Sequence, residues 1–191
     1  MHAAEARRPS IRQAHADRTK SAILEAARHV FATCGYGEAG VRDIAARAGV
    51  NPALGGRYFG SKLELFEAAL EASFDIAHFT DMPRERFGER VAQSLCRSQD
   101  EEASAVPMLV FAGGNSEARK AALRILQQRA LEPLKAWFGG AEAAERAAQL
   151  LLIVTGFYTY RITLPVEPVA GKASAAMERW LATTLQELVD R

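Results

Sequence analysis

Apolar residues recur at helical spacing along much of the chain, and the most informative stretch is residues 41–62, VRDIAARAGVNPALGGRYFGSK. From Val41 the apolar positions follow i, i+3, i+4 and i+7, which predicts a short amphipathic helix that ends near Ala48. Gly49 follows directly. A helix end favours a left-handed residue without a Cβ atom, so Gly49 predicts the end of this helix.

A second short helix is predicted immediately after that turn. Asn51 is expected to cap it through its side-chain oxygen, and Pro52 occupies the first helical position with φ already set. This helix should run to about Phe59, and the Ser-x-x-Glu box of Ser61 and Glu64 should open the next one. Two short helices joined by a tight turn that contains glycine predict a helix-turn-helix motif.

An amphipathic helix also precedes the motif. We expect Asp17 or Thr19 to cap it and Gly35 to end it, with Tyr36 folding back as an apolar staple. Its inward face is Ile23, Ala27, Val30, Phe31 and Cys34. Residues 1–16 are polar, basic and without periodicity, so a disordered arm is predicted there. Alternatively, the arm reaches phosphates or a narrow minor groove through Arg7, Arg8 and Arg12.

The pattern downstream of the motif stays helical and shows no strand alternation. The helix that opens at Lys62 should run to about Phe79, where residues 81–83 break it. Further helices are predicted at 84–98, 106–111, 115–138, 141–164 and 171–190, with Pro133 kinking or dividing the third. The predicted fold is therefore all-α, with a three-helix helix-turn-helix domain at 17–65 and a larger helical domain at 66–191.

The net charge of +1 conceals an asymmetry between the two ends of the chain. Residues 1–62 hold ten Lys and Arg against five Asp and Glu, a net +5, which leaves 14 against 18, a net −4, for the rest. A basic end joined to an acidic body suits a polyanionic partner on one side of the molecule. The alternative is a solvated surface on which charges cluster by chance.

The run from Ile23 to Leu70 resembles the N-terminal domain of TetR-family transcriptional regulators. The resemblance covers roughly residues 18–72 and is specific as a composite. Its matching elements are Phe31, the Gly35-Tyr36-Gly37 corner, Ile44-Ala45, Ala48-Gly49-Val50, Tyr58-Phe59 and Ser61-Lys62. It implies a TetR-like all-α fold in which a C-terminal helical domain binds a ligand and dimerises.

A recognition helix places its first residues against base edges in the major groove, while neighbouring helix starts hold phosphates. On that geometry Asn51, Ala53 and Leu54 face bases, and Arg57 and Tyr58 lie near the backbone. The full set of predicted DNA contacts is Arg42, Asn51, Pro52, Ala53, Leu54, Arg57, Tyr58 and Lys62. Simpler roles remain open: Tyr58 as core, Asn51 as a cap only, and the two arginines as solvated charges.

Gly55-Gly56 departs from the family pattern, in which a bulky apolar residue and a polar or aromatic one stand at these positions. Each glycine inside a helix costs about 1 kcal/mol relative to alanine. We therefore expect a recognition helix that is loose until DNA orders it, or an unusual base preference. Impaired DNA binding is the alternative, which would leave a helical protein-interaction or small-molecule-binding module.

The resemblance also implies a homodimer and a small-molecule effector that releases the DNA. Two C-terminal helices rich in Ala and Leu suit a four-helix interface with a second copy, or else they close the chain's own core. The interface candidates are Leu150, Leu151, Val154, Tyr158, Met177, Trp180, Leu181, Thr184 and Leu188. The pocket candidates, whose apolar bias suggests a hydrophobic ligand, are Phe74, His78, Phe87, Met108, Phe111, Gln127 and Tyr158.

Nothing in the sequence supports a catalytic, metal or cofactor site. The four histidines are scattered, Cys34 and Cys96 lack ligand or redox spacing, and the acidic run 100–102 is typical of an exposed surface. The N-terminus is not a signal peptide, and the apolar stretch 150–155 is too short to cross a bilayer. We therefore expect a cytoplasmic protein without a membrane partner.

Overall fold

The structure, a computed structural model, describes residues 11–97 and 104–191. Within these residues every regular element is helical, which confirms the predicted fold class. The helices are α1 (Ile11–Glu38), α2 (Val41–Arg47), α3 (Pro52–Phe59), α4 (Lys62–Ala72), α5 (Ala77–Thr80), α6 (Phe87–Arg97), α7 (Val106–Ala112), α8 (Ser116–Leu126), α9 (Glu132–Phe138), α10 (Ala143–Tyr158) and α11 (Ala175–Asp190).

The turn between α2 and α3 forms as its glycine predicts. Gly49 has φ 66°, and the N–H of Val50 donates to the carbonyl of Ala45 at 3.0 Å. The Gly49 N–H donates to the Ala46 carbonyl at 3.1 Å, which completes a Schellman motif. These bonds satisfy the last carbonyls of α2 and direct the chain into α3 at a fixed angle.

Helix α1 is broken at Gly35 (φ 73°), where the sequence predicts its end. The Tyr36 ring then folds back, with its centroid 6.2 Å from that of Phe31 and 5.3 Å from that of Phe66. This contact confirms the predicted apolar staple. It fixes the corner at which α1 turns toward α2.

The start of α1 was predicted too late. The helix begins at Ile11, so residues 11–16 of the expected disordered arm are helical. Polar side chains support this turn at i, i+4 spacing: Gln13 bonds Asp17 at 3.2 Å, and the Thr19 hydroxyl donates to the His15 carbonyl at 3.0 Å. This turn is held by polar side chains, so apolar periodicity does not reveal it. Residues 1–10 and the side chain of Arg12 lie outside the described part of the chain.

Helix α4 is shorter than predicted and ends at Ala72 instead of near Phe79. The Ser73 hydroxyl donates to the Ala69 carbonyl at 2.9 Å, and Asp75 Oδ1 accepts the His78 N–H at 3.2 Å to open the short helix α5. Serine and aspartate offer the backbone these local alternatives to a continuous helix. The apolar spacing through Phe79 hides this break.

The buried side chains form two cores. The first joins α1, α2 and α4 to α7 and α8, and its largest fully buried members include Phe31, Phe66 and Ile125. The second joins α6, α9, α10 and α11 around Phe87, Leu134 and Leu185. The helix-turn-helix unit therefore shares its core with the first helices of the body, and α4 contributes to that shared core along its buried face.

Helices of the body begin and end close to the predicted residues. Asn115 caps α8 by accepting the N–H groups of Glu117 and Ala118, and a π-helical segment, Gln127–Leu131, divides the long helix just before Pro133. Helix α11 begins at Ala175, after the predicted Gly171, because the Ser174 hydroxyl accepts the Met177 N–H.

A buried arginine ties the ends of two helices together. Arg146 of α10 is 6% exposed and donates to the carbonyls of Gly139, after α9, and Arg191, after α11. Helix C-termini carry unpaired carbonyls and partial negative charge, so a cation at this point stabilises both.

Helix α6 crosses α11 at Gly88, a close approach that sequence reasoning missed. A Cβ atom at Gly88 would lie 2.2 Å from the Ala182 carbonyl oxygen and 2.7 Å from the Gln186 nitrogen. The Gly88 N–H also donates to Gln186 Oε1 at 3.0 Å. Only a residue without a side chain fits between these two backbones.

We predict that Gly88→Ala lowers the free energy of unfolding by about 1–3 kcal/mol, because the new methyl group meets backbone that cannot rotate away. Chemical denaturation followed by circular dichroism measures it. Gly37→Ala is the matched control, since nothing lies within 4 Å of a Cβ at Gly37. Equal stability of the two variants would contradict the close crossing of α6 and α11.

Candidate functional site

The first turn of α3 is fixed by its own residues and faces solvent. Asn51 Oδ1 accepts the Ala53 N–H at 2.9 Å, and Pro52 occupies the first turn, as the sequence predicts. Asn51, Pro52 and Ala53 are all exposed. The N–H groups at this helix start and the exposed side chains thus share one surface, which has the geometry that major-groove contact requires.

Leu54 and Tyr58 lie differently from this exposed turn. Both are half-buried and pack against the first core, together with Phe59. The open face of α3 continues instead through Gly56 and Arg57, both exposed. Leu54 therefore has a structural role beside its predicted contact with bases, and Tyr58 matches the alternative in which it belongs to the core.

Three predicted phosphate contacts surround α3. Arg42 in the first turn of α2 and Arg57 in the last turn of α3 are exposed. Lys62 is half-buried, and its Nζ lies 3.4 Å from the Gly37 carbonyl oxygen and 4.7 Å from the centroid of the Tyr36 ring. An ammonium group has three donors, so this contact orients Lys62 and leaves donors for an anion.

The start of α4 is held by the predicted capping box. Glu64 Oε2 accepts the Ser61 N–H at 2.7 Å, and the Ser61 hydroxyl accepts the Glu64 N–H at 3.1 Å. Two hydrogen bonds lower the pKa of the Glu64 carboxyl: the bond from the Ser61 backbone has the larger effect, and the bond with the Ser61 side chain has the smaller one. The box places the neighbouring Lys62 beside the corner formed by Gly35, Tyr36 and Gly37.

Gly55 and Gly56 differ in their surroundings. Gly55 is buried, and a Cβ there would lie 3.4 Å from Val41 Cγ1, so the two helices of the motif approach closely at this point. Nothing lies within 4 Å of a Cβ at Gly56. Both residues are helical in α3, and the predicted looseness of the helix stays a prediction.

We predict that Gly56→Ala slows amide hydrogen exchange across α3, because alanine favours the helix by up to about 1 kcal/mol and meets no neighbour here. Gly113→Ala, just after α7, is the control and should leave exchange in α3 unchanged. Exchange in α3 that is equally fast in wild-type protein and in Gly56→Ala would show that Gly56 does not loosen the recognition helix.

A cavity of about 320 Å³ lies between the two cores. Its wall comes from the segment after α4 and from helices α5 to α10, and most of it is apolar. Four predicted pocket residues line it: Phe74, His78, Phe87 and Tyr158. The structure thus brings together residues far apart in sequence, although their contact with a ligand stays a prediction.

The other three predicted pocket residues lie elsewhere. Met108 is buried in the first core, Phe111 packs its Cβ against Gly35 on the outside of α7, and exposed Gln127 bonds Glu132 at 2.6 Å. The cavity faces the side of α7 that carries Leu109. Met108 and Phe111, the two residues of α7 predicted from the sequence, do not line it. Sequence reasoning also missed Val91 and Leu95, whose i, i+4 spacing on α6 was a usable signal.

The predicted dimer residues separate into three groups. Leu150, Tyr158, Leu181 and Leu188 are buried inside the chain, which matches the alternative that these helices close its own core and corrects their assignment to an interface. Leu151 and Val154 line the cavity, whereas Trp180 is 55% exposed and Met177 and Thr184 are half-buried. Leu152, 73% exposed on α10, was missed because the predicted stripe ran along the inward face.

Neither a metal site nor a membrane span is found in the part of the chain that the structure describes. No three His, Cys, Asp or Glu side chains in residues 11–97 and 104–191 are grouped so that they could hold a metal ion. Over the same residues, no helix is long and apolar enough to cross a membrane.

Two family models match the sequence. Residues 23–69 match the model described as bacterial regulatory proteins of the tetR family, and residues 85–189 match the tetracyclin repressor-like C-terminal domain. The first match spans the second half of α1, all of α2 and α3 and most of α4, and the second spans α6 to nearly the end of α11. No curated protein matches the chain by sequence.

Solved structures also match this chain over most of its length. A TetR-family regulator from Streptomyces coelicolor A3 is 25% identical, with a TM-score of 0.56, over 98% of this chain and 100% of that one. GusR from Salmonella enterica is 19% identical, with a TM-score of 0.68, over 91% and 96%. The multidrug binding protein EbrR complexed with ethidium is 18% identical, with a TM-score of 0.62, over 89% and 98%. The last two show likeness of fold alone.

Proposed function

Since this chain belongs to the TetR family of bacterial transcriptional regulators, we propose that it represses transcription as a homodimer bound to a near-palindromic operator. The main support is the exposed, capped first turn of α3 at Asn51, Pro52 and Ala53, with Arg42, Arg57 and Lys62 around it. The two copies of α3 would enter successive major grooves about 34–36 Å apart, or a multiple of that. We propose no catalytic role, and we expect the protein to act in the cytoplasm.

The proposed dimer forms through the outer faces of α10 and α11. Leu152 on α10 and Trp180 on α11 are more than half exposed, and small residues such as Ala148 and Ala176 lie exposed on the same two helices. Large apolar side chains with small neighbours allow helices of a second copy to pack closely. This arrangement keeps the four-helix interface and Trp180 as expected from the sequence, and adds Leu152 in place of the candidates that are buried inside the chain.

We predict that Leu152→Glu and Trp180→Glu convert the dimer to monomers, because each places a charge in an apolar interface. Sedimentation velocity measures the change. Leu123→Glu is the matched control, because Leu123 is 61% exposed on α8, outside the proposed interface. If both α10 and α11 variants remain dimeric, the interface lies elsewhere.

We further propose that an effector in the cavity releases the DNA by moving α4. Ser73 and Phe74, which follow α4, line the cavity, and the Arg28 Nε of α1 donates to the Ser73 hydroxyl oxygen at 3.0 Å. A ligand that displaces this segment would therefore act on both α4 and α1. It must bind the DNA-released arrangement more tightly than the other, since only differential affinity shifts a population.

Two ion pairs connect α4 to the body along its exposed side. Arg124 of α8 lies 2.7 Å from Glu67, and Arg129 lies 2.6 Å from Glu71. All four side chains are partly exposed, so each pair contributes at most about 1 kcal/mol to stability. Contacts this weak can be exchanged at little cost when α4 shifts, while the buried face of α4 carries the movement to the helix-turn-helix unit.

The second candidate function is a helical protein-interaction or small-molecule-binding module whose DNA binding is impaired. Gly55-Gly56 favours it, because the open face of α3 bears no side chain at Gly56. Selection of bound duplexes from a random pool separates the two candidates. Enrichment of an inverted repeat supports the regulator, and no enrichment from a folded dimer supports the module.

On the selected operator, we predict that Lys62→Ala weakens binding about equally across sequences. The slope of log K against log salt should flatten by about one unit, because one phosphate contact is lost. Fluorescence anisotropy at several salt concentrations measures the slope. Lys120→Ala, exposed on α8 in the body, is the control. An unchanged slope would remove Lys62 from the DNA contacts.

A further inference from the structure

A basic cleft on the surface of α6 adjoins the apolar cavity. From its geometry we propose that the effector is an amphipathic anion, with an apolar chain in the cavity and a carboxylate or phosphate head at Arg90 and Arg97. The proposal rests on the proposed function in taking the cavity as the effector site, and it adds the chemical class of the ligand. It commits the cleft and the cavity to one molecule.

The cavity suits a flexible apolar chain. Aliphatic side chains from several helices line most of its wall, among them Leu95, Leu109 and Leu134. Its volume of about 320 Å³ lies at the lower end of the range for small-molecule pockets, about 300–1,000 Å³. A single medium-length chain fits this space better than a large polycyclic ring system.

The cleft is polar and lies next to the cavity. Its lining residues are His78, Arg90, Gln93, Ser94 and Arg97. His78 and Ser94 line both spaces, so the cavity and the cleft adjoin at these two side chains. A ligand held in the cavity can therefore extend one end between these side chains into the cleft.

Two guanidinium groups give the cleft its charge. Arg90 and Arg97 are seven residues apart on α6, which places them on one face two turns apart. Across residues 11–97 and 104–191 neither of them has an acidic partner within ion-pair distance. By contrast, Arg86 on the preceding turn pairs with Glu89 at 3.5 Å. Planar guanidinium groups recognise carboxylate and phosphate by paired N–H donors.

The acidic groups nearby do not reverse this charge. Glu89 pairs with Arg86 and accepts the Gln93 amide N–H at 3.0 Å. Asp75 lines the cavity, but its Oδ1 accepts the backbone N–H of His78 at the start of α5. A cationic ligand attracted by Asp75 is the competing class, and EbrR is described in complex with the cation ethidium. Among the described residues that line the two spaces, two arginines stand against one aspartate, which favours the anion.

The test compares ligands that share one chain and differ in their head. Decanoate, decyl phosphate, decanol and decylamine are titrated into the full-length protein without DNA, below their micelle concentrations, by isothermal titration calorimetry. We expect both anions to bind at least about tenfold more tightly than decanol and decylamine, because hydrogen bonds to charged groups add affinity. The two anions separate a carboxylate head from a phosphate head.

Variants then assign the two parts of the site. Arg90→Gln and Arg97→Gln should each weaken the anions about tenfold and leave decanol unchanged. Arg86→Gln, which removes the same charge one turn away, is the matched control and should change neither. Leu109→Trp, which fills the cavity, should weaken all four ligands, and circular dichroism checks that it folds.

Several results would overturn the proposal. Decylamine or decanol binding as tightly as decanoate would contradict it, as would anion binding that survives both arginine substitutions, or binding of neither anion. Operator release is measured separately to distinguish this inference from the proposed function. If decanoate binds selectively but leaves the DNA bound, the ligand class stands and the proposed release is wrong; if decylamine releases the DNA, the regulator stands and the anion is wrong.

Discussion

The burial of α4 is the constraint on which the rest of the structure depends. Leu65, Phe66, Ala69 and Leu70 are almost completely buried, and Phe66 meets the Phe31 ring edge-to-face at 5.2 Å. A fully buried side chain of this size contributes about 1.5–3 kcal/mol. Because the same face touches α1 and the helices of the body, α4 cannot move alone. In the proposed release, a displacement at its C-terminal end would be carried to the corner that holds α2 and α3.

The cavity owes its position to the division of the apolar side chains into two cores. The first core follows α4, and the second follows the crossing of α6 and α11 at Gly88, where backbones meet without a side chain between them. The wall of the cavity takes residues from the margins of both, such as Phe74 from the first and Val154 from the second. The proposed ligand would therefore lie at the boundary between the two cores and not inside either of them.

The parts of this chain that the proposed function uses differ in how strongly their contacts stabilise them. The first turn of α3 is fixed by local caps and faces solvent. The middle of the same helix contains Gly55 and Gly56, and glycine has a low helix propensity. The ion pairs of Glu67 and Glu71 with α8 are partly exposed and contribute little stability. Firm caps and buried aromatic rings therefore surround the elements that, in the proposed function, DNA would rearrange at one end and an effector at the other.

The sequence alone determined what depends on near neighbours along the chain. The Schellman turn at Gly49, the Asn51 cap, the box of Ser61 and Glu64, and the all-α fold were predicted correctly, because their hydrogen bonds join residues at most five positions apart. Tertiary structure decided which faces meet. Helix α4 ends at Ala72, and Leu109 lines the cavity whereas Phe111 does not. Leu181 is buried inside the chain, and Trp180 is exposed. An apolar stripe indicates which face of a helix is apolar. Only the packed molecule decides whether that face lies against the chain's own core, a cavity or solvent.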